Sequence, residues 1–329
     1  MTAISPSSLL VADIGGTNAR FALARSDAQG RPVLDAVREL HAAAYPTLAS
    51  AAQHYLDEVG ALAVRSAVFA VASPVTGDEI KMTNSPWSFS VHALQTELAL
   101  DALTLINDFA AVSHAVPHLS RNDVVAVGAD AATLASERRD GHYSVLGPGT
   151  GLGVGRLMLR DATSLVFETE GGHVGFAPTT AYELRLLEVL WRDYPRVSAE
   201  RLLSGHGLVN LYRAICVVEG KAVLDLTPAQ ISELASTQPE SLCARSVELF
   251  CELLGAFAGD TVLMHGSWDG VYLAGGVTQK LLPWIQRSGF RTRFESKGRF
   301  DALLKRVPVL AITHPQAGLL GAAARGLLT

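Results

Sequence analysis

The sequence predicts an α/β protein made from one unit used twice. Three observations carry that expectation. Strand-like and helix-like segments alternate along most of the chain. The N-terminal part and the stretch beginning near His142 both open with three strand candidates before alternation starts. In both parts a Gly-rich turn interrupts those opening strands, Gly15-Gly16 in one and Gly147 to Gly155 in the other. A length of 329 residues fits roughly two domains at about 150 residues each, and 49% AVILMFWYC with 18% charged residues supplies material for a substantial core.

In the first part, Leu9 to Ile14 is an apolar run ended by Gly15-Gly16, with Arg20 to Ala24 and Val33 to Leu40 as second and third strands. Tyr45 to Val59 has helical spacing, Ser66 to Ala72 reads as a buried strand, Val91 to Leu100 as a helix and Leu103 to Ile106 as a strand. In the second part, Tyr143 to Leu146, Gly151 to Leu159 and Ser164 to Phe167 are the opening strands. Long helical patterns then run from about Tyr182 to His265. Val271 to Ala274 is a strand, Thr278 to Gln286 a helix, Val309 to Ile312 a strand and Gly318 to Leu327 a closing helix. Two such copies leave a cleft between them, where ligands are expected.

Several function classes are disfavoured. Lys+Arg is 27 and Asp+Glu 32, a net charge of −5 with no long basic block, so nucleic-acid binding gains no support. The longest stretch without Asp, Glu, Lys or Arg, Val307 to Ala324, is broken by Pro308, His314, Pro315 and Gln316, so no membrane span is expected. MTAISPSSLLVADIGG has no basic region of the secretory kind. Cys216, Cys243 and Cys251 are odd in number and lack CxxC spacing, which argues against a disulfide framework and a structural zinc. The cytoplasm is the expected compartment.

Six segments can carry chemistry. In DIGGTNAR, Asp13 to Arg20, the glycines let backbone N–H groups approach an anion, Thr17 adds a hydroxyl and Arg20 a cation. A carboxylate beside such a nest is reasonable when Mg²⁺ lies between it and a phosphate. Gly15-Gly16 alone is an ordinary turn; the octet favours the phosphate reading. In GPGTGLGVG, Gly149, Thr150 and Gly151 can present N–H groups and a hydroxyl to a phosphate at a strand-turn-strand; its glycine spacing is neither a Walker loop nor a Rossmann fingerprint. At Ile106-Asn107-Asp108-Phe109, Asp108 is either a helix N-cap or the general base that takes a hydroxyl proton, with Asn107 holding a neighbouring hydroxyl. Glu170 and His173 of EGGHVGF, with Glu200 in the first turn of a helix capped by Ser198, suit a neutral polyol. Each could equally be a satisfied loop or surface residue. Asn84 of TNSPWSFS could bond a sugar hydroxyl, and Gly275-Gly276 of LAGGVT allows a flat nucleoside to approach, as a plain βα turn would also look.

In this order the segments resemble the bacterial glucokinase family of the hexokinase, actin-like ATPase superfold. The likeness runs from LLVADIGGTNARFALA through INDFAAV, LGPGTGLGVG, EGGHVGFAP, SAERLLSGHGLVNLYRAI and YLAGGV to HPQAGLLGAAARGLL. It implies a two-domain actin-like (ribonuclease H-like) fold of duplicated βββαβαβα units. The small domain would comprise 1–118 with 313–329, and the large domain 119–312. It implies transfer of the ATP γ-phosphoryl group to the 6-hydroxyl of D-glucose, with Mg²⁺ near Asp13, reached through water. Asp108 is the implied base; Asn107, Glu170, His173 and Glu200 the implied sugar contacts. The implied phosphate and nucleotide contacts are Asp13, Gly15, Gly16, Thr17, Asn18, Arg20, Gly149, Thr150, Gly151, Gly275 and Gly276. A homodimer is implied as well. Zinc-bearing relatives carry a Cys-rich loop soon after the EGGH-type motif; Ala177-Pro178-Thr179-Thr180 stands here, so zinc is not expected. A kinase for mannose or fructose and a non-catalytic sugar sensor remain as alternatives.

Overall fold

The computed structural model describes residues 8–61, 63–73, 75–82, 87–128, 140–161 and 163–327. The chain divides into two compact units, Met1–Leu119 with His314–Thr329, and Ser120–Thr313. Together they form an α/β fold of the actin-like ATPase kind.

In the first unit, β1 (Leu9–Ile14) is a nearly continuous buried run, as a strand covered on both faces requires. β2 (Asn18–Ser26) and β3 (Pro32–His41) follow antiparallel to it in turn. Helix α1 (Leu48–Val59) begins later than the apolar spacing predicts. Thr47 and Ser50 form a capping box, and Gly60 ends the helix at φ 67°. β4 (Ser66–Val71) lies parallel to β1. A short pair, β5 (Glu79–Lys81) and β6 (Ser88–Ser90), was not visible in the periodicity. Next come α2 (Val91–Glu97), β7 (Ala102–Asn107) and α3 (Asp108–Ala115). α2 stops short of Leu100 because Ala99 turns left-handed at φ 51°. The sheet order is β3-β2-β1-β4-β7.

The second unit repeats that plan. β9 (Gly141–Pro148), β10 (Leu152–Arg160) and β11 (Thr163–Thr169) form the antiparallel opening, and β12 (Gly270–Leu273) and β13 (Val309–Ile312) add in parallel beyond β9. The order is β11-β10-β9-β12-β13, with β8 (Val124–Ala126) on the far edge. At three residues, β8 is too short to leave a periodic signal. The long helical stretch resolves into α4 (Ala181–Leu190), α5 (Gly205–Val218), α6 (Pro228–Thr237) and the largely buried α7 (Leu242–His265). Thr180, Ser204, Thr227 and Ser241 each cap one of them through the side chain. α8 (Gly276–Arg287), α9 (Phe290–Glu295) and α10 (Asp301–Leu304) precede β13.

The chain then returns to the first unit as α11 (Ala317–Leu327), a helix of small residues packed on α3 and the sheet. A Cβ at Gly321 would overlap the carbonyl oxygen of Ala111, so glycine sets how closely the two helices lie. No helix among the described residues is long and apolar enough to cross a membrane.

Burial pulls the His114 imidazole on α3 down to about 4, and Arg325 and His118 add repulsion against its proton. An unfolded chain binds that proton near pH 6.5, so acid favours unfolding. The neutral ring's stabilisation is complete above about 6.5 and disappears as pH falls to about 4, on the order of 3 kcal/mol in total. His114→Gln is therefore expected to flatten the fall in Tm between about pH 7 and pH 4. Equal falls in both proteins, followed by circular dichroism, would rule this linkage out.

Candidate active site

The first unit gathers its candidate residues at one edge of its sheet. Ile14, Val71 and Asn107 are register partners across β1, β4 and β7, so these three parallel strands end together. The DIGGTNAR turn leaves β1 at that edge, and Asp108 follows the end of β7. This is where parallel α/β sheets place ligands.

The turn is tight: the Gly15 N–H donates to the Asn18 carbonyl at 2.9 Å, and the Ala42 N–H donates to the Thr17 carbonyl at 2.8 Å. Asp13 stands opposite Arg20 and Arg20 opposite Glu39, a row of charge running across three strands. Asp13 Oδ2 is 3.8 Å from an Arg20 nitrogen, whereas Glu39 holds Arg20 Nε at 2.7 Å and Asn18 Nδ2 at 2.8 Å. Burial raises the Asp13 pKa above the usual carboxylate value; Arg20 opposes the shift and Glu39 adds to it. Gly318 of α11 lies so near that a Cβ there would be 2.6 Å from Asp13 Oδ2. An anionic form of Asp13 thus lacks full compensation by its own surroundings, and a divalent cation would provide it. The site therefore fits the Mg²⁺ that accompanies a nucleotide.

At the start of α3 the structure corrects one sequence alternative. The N-cap is Asn107, not Asp108: Asn107 Oδ1 accepts from the N–H groups of Phe109 at 2.8 Å and Ala110 at 3.4 Å. Asp108 is the first helical residue, and its Oδ1 shares the Phe109 N–H at 2.9 Å. The helix start accounts for Asn107's side-chain oxygen and leaves its NH₂ group without a protein partner among the described residues. Asn84 lies outside the described residues. Its neighbour Trp87 is buried and donates to the Tyr45 carbonyl at 3.1 Å.

In the second unit, Gly149, Thr150 and Gly151 form the tip between β9 and β10, closed by Gly149 N–H donating to the Gly151 carbonyl at 2.8 Å. The first amide of α5, at Gly205, donates to the Gly149 carbonyl at 2.9 Å. Gly275, at φ 89°, comes so close to the same strand end that a Cβ would be 2.6 Å from the Pro148 carbonyl oxygen. Two requirements, a left-handed backbone and that close approach, select glycine there. Gly276 opens α8. The Gly149–Gly151 turn and the LAGG turn are thus neighbours at the ends of parallel β9 and β12.

Glu200 joins this tip to the EGGH segment. Its Oε2 accepts from the Leu152 N–H at 2.9 Å, and its Oε1 is 3.8 Å from His173 Nδ1. On the other side of the ring, His173 Nε2 is 3.7 Å from Glu170 Oε2. Side-chain exposure falls from 72% at Glu170 through 56% at His173 to 29% at Glu200, so the row runs from solvent inward. Segments 174–176 and 197–199 hold it in place: Ala199 N–H donates to the Val174 carbonyl at 2.8 Å and Phe176 N–H to the Val197 carbonyl at 2.9 Å. The expected helix around Glu200 is corrected to a single 3-10 turn, Ala199–Arg201, with no side-chain cap from Ser198. Downstream, Thr179 donates to buried Glu183, which also pairs with Arg293 at 2.7 Å. Among the described residues no group of three or more His, Cys, Asp or Glu could hold a metal ion.

Sequence reasoning missed Glu39, Gly318 and the Leu152 amide. Glu39 sits in a strand with no motif, and its role depends on strand register. Gly318 carried a readable hint, a glycine at the start of a helix where Ala would be the better helix former.

Comparison with known proteins follows the same outline. The family model described as Glucokinase matches residues 10–327. A glucokinase of Stenotrophomonas maltophilia is 50% identical over 317 residues, 96% of this chain and 94% of the relative. Among solved structures, the crystal structure of a glucokinase from an Antarctic psychrotroph has a TM-score of 0.85 at 36% identity, covering 97% of this chain and 98% of its own. A Balamuthia mandrillaris glucokinase in complex with glucose has a TM-score of 0.78 at 22% identity, covering 98% and 94%, a likeness of fold.

Proposed function

The chain belongs to the glucokinase family, and from that membership we propose that it transfers the γ-phosphoryl group of ATP to the 6-hydroxyl of D-glucose, giving glucose 6-phosphate and ADP. The observation that supports the mechanism is the shared register of Ile14, Val71 and Asn107, because it sets the DIGGTNAR turn and the start of α3 at one end of the parallel strands.

In this reading Asp108 accepts the proton of the 6-hydroxyl as the O–P bond forms. Asn107, its oxygen committed to the helix start, donates through its NH₂ group to a sugar hydroxyl. Glu170, His173 and Glu200 bind further hydroxyls; carboxylates and an imidazole orient a neutral polyol without needing charge on it. The amides of the turn at Gly15 to Asn18 and of Gly149 to Gly151, with Thr17, Thr150 and Arg20, receive the phosphates. Gly275 and Gly276 leave room for the adenosine. Mg²⁺ enters with ATP as part of the substrate and offsets phosphate charge, with Asp13 the residue that would hold it. In a loose transition state, rate comes mostly from such positioning and electrostatics. Family membership also favours a cytoplasmic homodimer.

The test is a coupled assay with glucose, ATP and Mg²⁺, followed by relative kcat/KM across glucose, mannose and fructose. Glucose is expected to lead. A different leading hexose would reassign the substrate, and sugar binding without ADP formation would make the protein a sensor.

A further inference from the structure

Strand β3 carries one residue more than β2 needs. Leu23 faces Asp35, but Phe21 faces Arg38, so Ala36 and Val37 together oppose Ala22 as a β-bulge. Ala36 is left-handed at φ 52°, uncommon for a residue with a Cβ, and its carbonyl accepts from the hydroxyl of buried Tyr55 at 3.0 Å. If the outer register continued inward, Arg20 would stand opposite Arg38, two like charges directly across a ladder. The bulge moves the pairing by one residue and sets Glu39 opposite Arg20 instead.

Glu39 then uses both oxygens on the DIGGTNAR segment, Oε1 on the Asn18 amide at 2.8 Å and Oε2 on Arg20 Nε at 2.7 Å. The Arg20 and Glu39 side chains are 38% and 49% exposed, and pairs that open to water add little stability. The arrangement needs another explanation. We propose that Glu39, delivered by the bulge at Ala36, is a positioning residue that aims the Asn18 amide and the Arg20 guanidinium at the phosphates of ATP. The inference rests on the kinase reading above. Glu39 also keeps Arg20 from closing on Asp13, which stays 3.8 Å away. Without Glu39, Arg20 is free to neutralise the carboxylate that faces the incoming Mg·ATP.

Steady-state kinetics of wild type, Glu39→Ala and Glu39→Gln, with Mg·ATP and glucose varied separately, test this. Glu39→Ala is expected to raise KM for Mg·ATP by about tenfold while KM for glucose stays within about twofold. Its Tm should stay within about two degrees of wild type. Glu39→Gln should fall between the two, because its single amide oxygen can serve one donor while its NH₂ group confronts the other. An unchanged KM for Mg·ATP in Glu39→Ala overturns the proposal. So does an equal rise in both KM values, or a loss of kcat with both KM values constant, the result of a partly unfolded sample. If Glu39→Ala does not fold, Glu39→Gln is read by the same criteria. A wild-type protein that fails to phosphorylate glucose overturns the kinase reading instead.

Discussion

Asp108→Ala is expected to lower kcat by about 10² or more, the usual contribution of a positioned general base. The prediction is sharp because Asn107 accepts from the same Phe109 amide as Asp108, so the helix start keeps an acceptor without this side chain. Asn107 Oδ1 accepts from the Phe109 and Ala110 amides, so α3 keeps a cap when the Asp108 carboxylate is removed; loss of a first-turn acid typically costs about 0.3–1 kcal/mol. Thermal melts should show a nearly unchanged protein, and the activity loss can then be read as chemistry. Asp108→Asn keeps the shape but cannot take up the proton, and it should be comparably slow. A fall of less than tenfold in a folded variant would remove Asp108 from the role of base and leave catalysis to the phosphate contacts alone.

How much of this was legible beforehand depended on the range of the interaction involved. The apolar runs Leu9–Ile14 and Val309–Ile312 are strands with the predicted ends, because buried parallel strands are local in sequence and bounded by turn residues. The antiparallel opening of each unit was readable for the same reason. Which of Asn107 and Asp108 caps α3 was not. Both residues of Asn107-Asp108 can cap and both oxygens meet the Phe109 amide; only coordinates show that Asn107 is the N-cap and also reaches the Ala110 amide. Glu39 was beyond reach of alternation altogether, since a bulge at Ala36 changes which face every later residue of β3 presents. The family resemblance implied a sugar contact for Glu200, yet its bond to an amide 48 residues earlier has no signature in sequence.

That bond leads to the other large expected effect. Glu200→Ala should cost roughly 10²-fold in kcat/KM for glucose, the scale of a lost charged hydrogen bond, and should raise KM for ATP as well. The dual effect follows from one side chain serving two places: Oε1 faces His173, proposed to bind sugar, and Oε2 fixes the Leu152 amide beside the Gly149–Gly151 turn, proposed to bind phosphate. Loss of a contact to sugar alone would leave KM for ATP unchanged. Gly151→Ala offers a second approach to the same bond. A Cβ at Gly151 would be 2.5 Å from Glu200 Oε2, and what it meets is the end of a flexible side chain rather than backbone. The new methyl group should therefore displace the carboxylate and spare the fold, reproducing much of the Glu200→Ala defect with the glutamate still present. In the double variant the two losses should not add, because the methyl group has nothing left to displace. Additive losses would mean that Gly151 and Glu200 act separately, and the coupling of sugar and phosphate contacts through this carboxylate would have to be abandoned.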